Sequence, residues 1–147
     1  MKTTNLVQFA RQRHPAPLSN AERQVILSNP GFGKFHTDHM VTVDWTSEQG
    51  WHDHRIKPYA PLMLDPSSLV LHYAQAIFEG LKAYRHQDGS LWAFRPQANA
   101  ARFNRSAERL GLPELPQEVF LESLRQLVQT DASWVPSTPE TSLYLRP

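Results

Sequence analysis

Cysteine is absent from the 147 residues, which excludes disulfides and thiolate metal sites without fixing the compartment. An excess of either charge is missing too: 15 Lys and Arg stand against 14 Asp and Glu, a formal net charge of +1. That balance makes no global field to draw in nucleic acid or an acidic membrane surface, so neither is expected as a partner. No apolar run is long enough to span a bilayer, and Met1 to Gln8 lack the apolar core of a signal peptide. A cytoplasmic location is the expectation. Neither an internal repeat nor a low-complexity tract occurs, and 40% hydrophobic with 20% charged residues suits one globular domain with a real core.

Proline, by contrast, is plentiful. Its 12 copies cluster at Pro15 to Pro17, Pro58 to Pro66, Pro113 to Pro116 and Pro136 to Pro147, and mark connections between elements. Residues 1–31 hold no sustained period, and Arg11 to Pro17 favours an extended N-terminal arm over a helix. Pro30-Gly31-Phe32-Gly33 is a turn. After it Val41, Val43 and Trp45 alternate with Thr42 and Asp44 as a half-buried strand; Ser47 to Gly50 turns, and Trp51 to Tyr59 returns as its hairpin partner. Asp65, Pro66, Ser67 and Ser68 supply cap and first-turn residues for a helix that runs to Gly80, with Leu69, Tyr73, Ala76 and Ile77 as an apolar stripe.

From Leu81 to His86 and from Leu91 to Arg95 the chain forms a second hairpin around Asp88-Gly89, apolar on both faces and expected centrally in a sheet. Pro96 opens a helix to Leu110 that Gly111 and Pro113 end. Pro116 opens another through Thr130, and Ser142 to Arg146 alternates as a last strand. Hairpins followed by helices argue an α+β fold, a largely antiparallel sheet covered by helices, with 32–147 as the domain proper.

Three groups of residues can carry chemistry. Arg102, Arg105 and Arg109 share one helical face near Arg95; they form either a solvated stripe paired with Glu108 or an anion pocket. In the pocket reading, Arg102 lies close enough to the positive helix end for a phosphate to gain from both. Tyr144 and Arg146 lie two apart on a strand and project from one face, where a phenol and a guanidinium could together hold a carboxylate. His36, Asp38 and His39 with His52, Asp53 and His54 permit a metal cluster or, as the plainer reading, polar groups of a hairpin; no metal is expected.

Several ordered motifs then point to one family. His72-Tyr73, Phe78-Glu79-Gly80, Lys82-Ala83-Tyr84, Phe94-Arg95-Pro96 with Asn99 and Arg102, and Thr141 to Pro147 together resemble the branched-chain amino-acid aminotransferases. The punctuation at Leu112-Pro113 and Trp134-Val135-Pro136 agrees, and the likeness runs from about Phe32 to Pro147.

The resemblance implies the small domain of an enzyme that uses pyridoxal 5'-phosphate to move the amino group of leucine, isoleucine or valine to 2-oxoglutarate. It implies that Arg102 binds the cofactor phosphate, that Tyr144 and Arg146 line the substrate carboxylate site, and that Phe32 and Phe78 line the pocket for the branched side chain. The position of Tyr73 reaches the partner subunit's site, which implies a homodimer; Thr37 to Met40 is a piece the family carries without a metal. Family members are more than twice as long, and their second domain holds the lysine that bonds the cofactor. Lys2, Lys34, Lys57 and Lys82 are the only lysines here and none matches it, so this chain is expected to hold no catalytic residue and to be inactive alone. A stand-alone domain that binds a small anion or metal without chemistry is the alternative.

Overall fold

A computed structural model describes residues 7–147. In chain order the elements are β1 (Ala10–Arg11), α1 (Asn20–Ser28), β2 (His39–Thr46), β3 (Gly50–Pro58), α2 (Leu69–Tyr73), β4 (Leu81–Arg85), β5 (Leu91–Ala93), α3 (Pro96–Arg109), α4 (Gln117–Thr130) and β6 (Leu143–Leu145), with a short 3-10 turn at Ala132–Trp134 before β6. The fold is α+β, with two small and mostly antiparallel sheets. The chain separates into two compact units, one built from the described residues up to Tyr59 with Glu118–Trp134, the other from Ala60–Gln117 with Val135–Pro147.

The first unit is organised on the β2–β3 hairpin, whose register runs from His39 opposite Pro58 to Thr46 opposite Gly50. The ladder slips between Thr42 and Asp44, where β3 carries an additional residue and Asp53 takes a φ of 51°. Such a bulge ends the simple alternation of His52 and His54. β1 adds a parallel edge, Ala10 opposite Arg55. Phe9, Ile56, Val119, Phe120 and Trp134 are buried in this unit.

A buried polar network accompanies that core. Asp131, 2% exposed, accepts the His39 backbone N–H at 3.0 Å and meets the His39 ring Nδ1 at 2.6 Å. Asp38 accepts the Trp134 indole N–H at 2.8 Å and faces Arg23 at 3.8 Å. Buried polar atoms that find partners in this way avoid a large desolvation penalty and fix which segments meet.

Two expectations need correction here. The arm expected to be extended over 1–31 contains α1, because Ser19 and Glu22 form a capping box: the Glu22 N–H donates to Ser19 Oγ at 3.3 Å and the Ser19 N–H to Glu22 Oε2 at 2.9 Å. The helix expected to run to Gly80 stops at Tyr73, where Ala74 turns left-handed at φ 50°. Ser68 makes no side-chain cap and none of the five residues of α2 is buried, so little packing offsets the cost of extending the helix.

In the second unit the strands run β5-β4-β6, all antiparallel. β4 is central, as expected, but β5 is an edge, and only one face is covered: Leu81 and Ala83 are buried while Lys82 and Tyr84 are exposed. The apolar look of both faces came from Tyr84, Trp92 and Phe94, which lie in the open. Behind the hairpin α3 starts at Pro96, with Arg95 left-handed at φ 46°, and buries Ala100 and Ala107. Small residues there permit close approach of the helix.

Candidate functional site

Arg102 lies in the second turn of α3, and its guanidinium is held by Glu79. Nε donates to Oε2 at 2.8 Å and Nη2 to Oε1 at 2.6 Å, a two-point pair. The two partners are unlike in exposure. The Glu79 side chain is 5% exposed and that of Arg102 60%, so the carboxylate belongs to the frame and the guanidinium faces outward from it.

Glu79 is anchored through its backbone and its neighbour. Its N–H donates to the Pro147 carbonyl at 2.9 Å, the Gly80 N–H donates to its Oε1 at 2.8 Å, and Asn99, one turn before Arg102, donates to the Gly80 carbonyl at 3.3 Å. The Arg102 hydrogen bonds, helped by the Gly80 N–H, hold the Glu79 carboxyl below its ordinary value of 4.5, against the opposing effect of burial. The same contact raises Arg102. Both groups are therefore charged near neutral pH.

On β6, Tyr144 stands opposite Lys82 and lays its ring against Gly80. A Cβ at Gly80 would collide with the Tyr144 hydroxyl, so a side chain there would force the tyrosine ring to move. Arg146 Nε donates to Tyr144 Oη at 3.1 Å, and its guanidinium lies 4.7 Å from the Phe78 ring centre and 5.2 Å from that of Tyr144. Phe78, Glu79, Gly80, Arg102, Tyr144 and Arg146 thus form one contiguous chain of contacts. One end is rich in hydrogen-bond donors. The other is aromatic and cationic.

Beside Arg102, α3 carries an open groove of about 730 Å³ lined by Arg102, Arg105, Ser106, Glu108 and Arg109. Of the residues singled out from sequence, Arg102, Tyr144, Arg146 and Phe78 come together. Tyr73 is 79% exposed on α2, and Phe32 belongs to the other unit, where it is 72% exposed. Glu79 was missed as a site residue, although it stands in the Phe78-Glu79-Gly80 motif. A glutamate beside an apolar ring and a glycine was its only signal.

The histidines serve other ends. His39 joins Asp131, His54 packs edge-on against Phe9 with ring centres 5.3 Å apart, His36 stacks on Tyr59 at 4.4 Å, and His52 Nδ1 lies 2.9 Å from the Gly50 carbonyl. Among the described residues no group of three or more His, Cys, Asp and Glu side chains is placed to hold a metal.

The chain was compared with known proteins. No family model matches it. It is 58% identical over 142 residues to the branched-chain-amino-acid aminotransferase of Mycolicibacterium smegmatis, covering 96% of this chain and 39% of that protein. The likeness to the branched-chain-amino-acid aminotransferase of Mycobacterium tuberculosis is 56% over 146 residues, 99% of this chain and 40% of the relative. The chain belongs to the branched-chain-amino-acid aminotransferase family. Branched-chain-amino-acid transaminase 1 of Bacillus subtilis is 55% identical over 120 residues, 82% of this chain and 34% of that protein. The chain spans about 40% of the length of the first two relatives. Among the described residues no helix is long and apolar enough to cross a membrane.

Proposed function

We propose that the chain is the N-terminal portion of a pyridoxal-phosphate-dependent aminotransferase that moves the amino group of leucine, isoleucine or valine to 2-oxoglutarate. In this reading residues 32–147 make up its small domain, 1–31 an arm before it, and the enzyme works as a cytoplasmic homodimer. The observation that carries the reading is the Arg102 guanidinium, held at two points by buried Glu79 in direct continuity with Tyr144 and Arg146.

The residues suit the cofactor. Glu79 takes Nε and Nη2 of Arg102 and leaves Nη1 for a further acceptor, while Arg105 and Arg109 line the same groove and, against the single carboxylate of Glu108, leave it an excess of positive charge. When bound, the cofactor supplies the electron sink that lets an amino acid lose its α-proton. Arg102 fixes its phosphate. Tyr144 and Arg146 orient the substrate carboxylate, with the Arg146 guanidinium lying 4.7 Å from the Phe78 ring centre. Phe78 also meets the branched side chain and Tyr73 contributes to the site of a second subunit; the family resemblance gives Phe32 a substrate-binding role as well. The lysine that bonds the cofactor lies on polypeptide outside this sequence, and the 147-residue chain alone turns over no substrate.

A full-length enzyme carrying these residues, purified and supplied with 2-oxoglutarate, tests the reading. Glutamate should form with leucine, isoleucine and valine, and at least tenfold more slowly with aspartate, since an apolar pocket discriminates against a buried charge. Equal rates, or none with the branched substrates, would contradict it.

A further inference from the structure

We propose that Glu79 is a positioning residue, whose buried carboxylate holds the Arg102 guanidinium in the orientation from which it grips a phosphate. The proposal rests on the reading of Arg102 given above. It begins with the asymmetry of the pair. An exposed salt bridge between two mobile side chains orders little, whereas here one partner is 5% exposed and tied through backbone to Pro147, Gly80 and, by way of Asn99, α3. The other partner is a long side chain that would otherwise sample many rotamers in water. Fixing it before the ligand arrives removes that ordering cost from binding.

The geometry also constrains how a phosphate is met. Were Arg102 to leave Glu79 for the ligand, the Gly80 N–H would be the main donor left to a buried carboxylate, and an uncompensated buried charge is costly. Arg102 therefore keeps Nε and Nη2 on Glu79 and presents Nη1. Glu79 does not strengthen the local positive field, since the pair is neutral as a whole. Its contribution is direction, and the Tyr144 hydroxyl lies beside Gly80, next to the carboxylate that sets it.

This gives opposite signs for two accounts. If net charge governed phosphate binding, Glu79→Gln would tighten it. If orientation governs, Glu79→Gln loosens it, because the glutamine amide turns an N–H₂ toward one of the two Arg102 donors and breaks the two-point grip.

The test titrates the full-length apoenzyme with pyridoxal 5'-phosphate and, in parallel, with pyridoxal, which lacks the phosphate. Glu79→Gln should weaken the phosphorylated ligand about tenfold and leave pyridoxal within about twofold. Arg102→Ala should abolish most of the difference between the two ligands. Unchanged or tighter binding of pyridoxal 5'-phosphate by Glu79→Gln overturns the proposal, and so does an equal loss for both ligands, the mark of a merely structural role. If Glu79→Gln does not fold, Glu79→Asp decides: it keeps the charge but withdraws it by one methylene, and the same selective loss is expected, with wild-type affinity overturning the proposal. If Arg102→Ala keeps the full preference for the phosphorylated ligand, the phosphate reading of Arg102 itself fails, and a selective loss in Glu79→Gln alone could not rescue it.

Discussion

At the scale of residues, the site is a matter of which partner is buried. Arg102 was singled out in the sequence because arginines spaced three and four apart share a helix face and because Phe94-Arg95-Pro96, Asn99 and Arg102 occur in family order. Its partner was not legible. The stripe reading supplied Glu108 as the nearby acid, whereas the structure pairs Arg102 with Glu79, 23 residues earlier. Nothing in local spacing announces a contact that two separate elements create. The pairing has a pH consequence. The Glu79 carboxyl is lowered in the folded state, chiefly by Arg102, so the stability it confers is complete above its ordinary value of 4.5 and is lost as pH falls through the lower folded value. Glu122, held by Arg125, and several exposed carboxylates shift in the same direction, so the wild type alone does not isolate Glu79. Denaturant unfolding of wild type and Glu79→Gln between roughly pH 6 and pH 3 should show a stability difference that is constant at the upper end and shrinks below about 4.5. A difference independent of pH would mean that Glu79 is not ionised in the folded state.

At the scale of elements, hairpins and long helices were readable and short or capped ones were not. Val41, Val43 and Trp45 alternate, Asp88-Gly89 sits between two apolar runs, and Pro96 opens a helix; each is a local signal acting within a few residues, and β2, β4, β5 and α3 follow it. α1 went unread because the prolines before it outweighed Ser19 and Glu22, which satisfy orphan N–H groups at its start. α2 was read too long because an apolar stripe predicts a helix only if something packs against it, and Leu69 and Tyr73 are exposed. β1 has just two residues, whose pairing with β3 no periodicity could reveal. The cap account predicts that Ser19→Ala costs about 1 kcal/mol, visible as a lower denaturation midpoint with an unchanged slope. No change in midpoint would show that α1 is held by packing alone.

At the scale of the whole molecule, the sequence argued one sheet and the described residues build two, each three strands wide and each in its own compact unit. The open face of the second sheet carries Tyr84, Trp92 and Tyr144, and the segment before it exposes Leu62, Met63, Leu71, Tyr73 and Phe78. Apolar surface on that scale is what a domain presents to further polypeptide, in keeping with the proposed placement of these residues in a longer, dimeric enzyme. The donor cluster around Glu79 and the cationic pair on β6 belong to this same unit, so the phosphate end and the carboxylate end of the proposed site are set by one body. A crystal structure of the full-length protein with pyridoxal 5'-phosphate tests this directly. The account predicts a phosphate oxygen within about 2.7–2.9 Å of Arg102 Nη1 while Nε and Nη2 stay on Glu79; a phosphate bound elsewhere, with Arg102 turned to solvent, would contradict it.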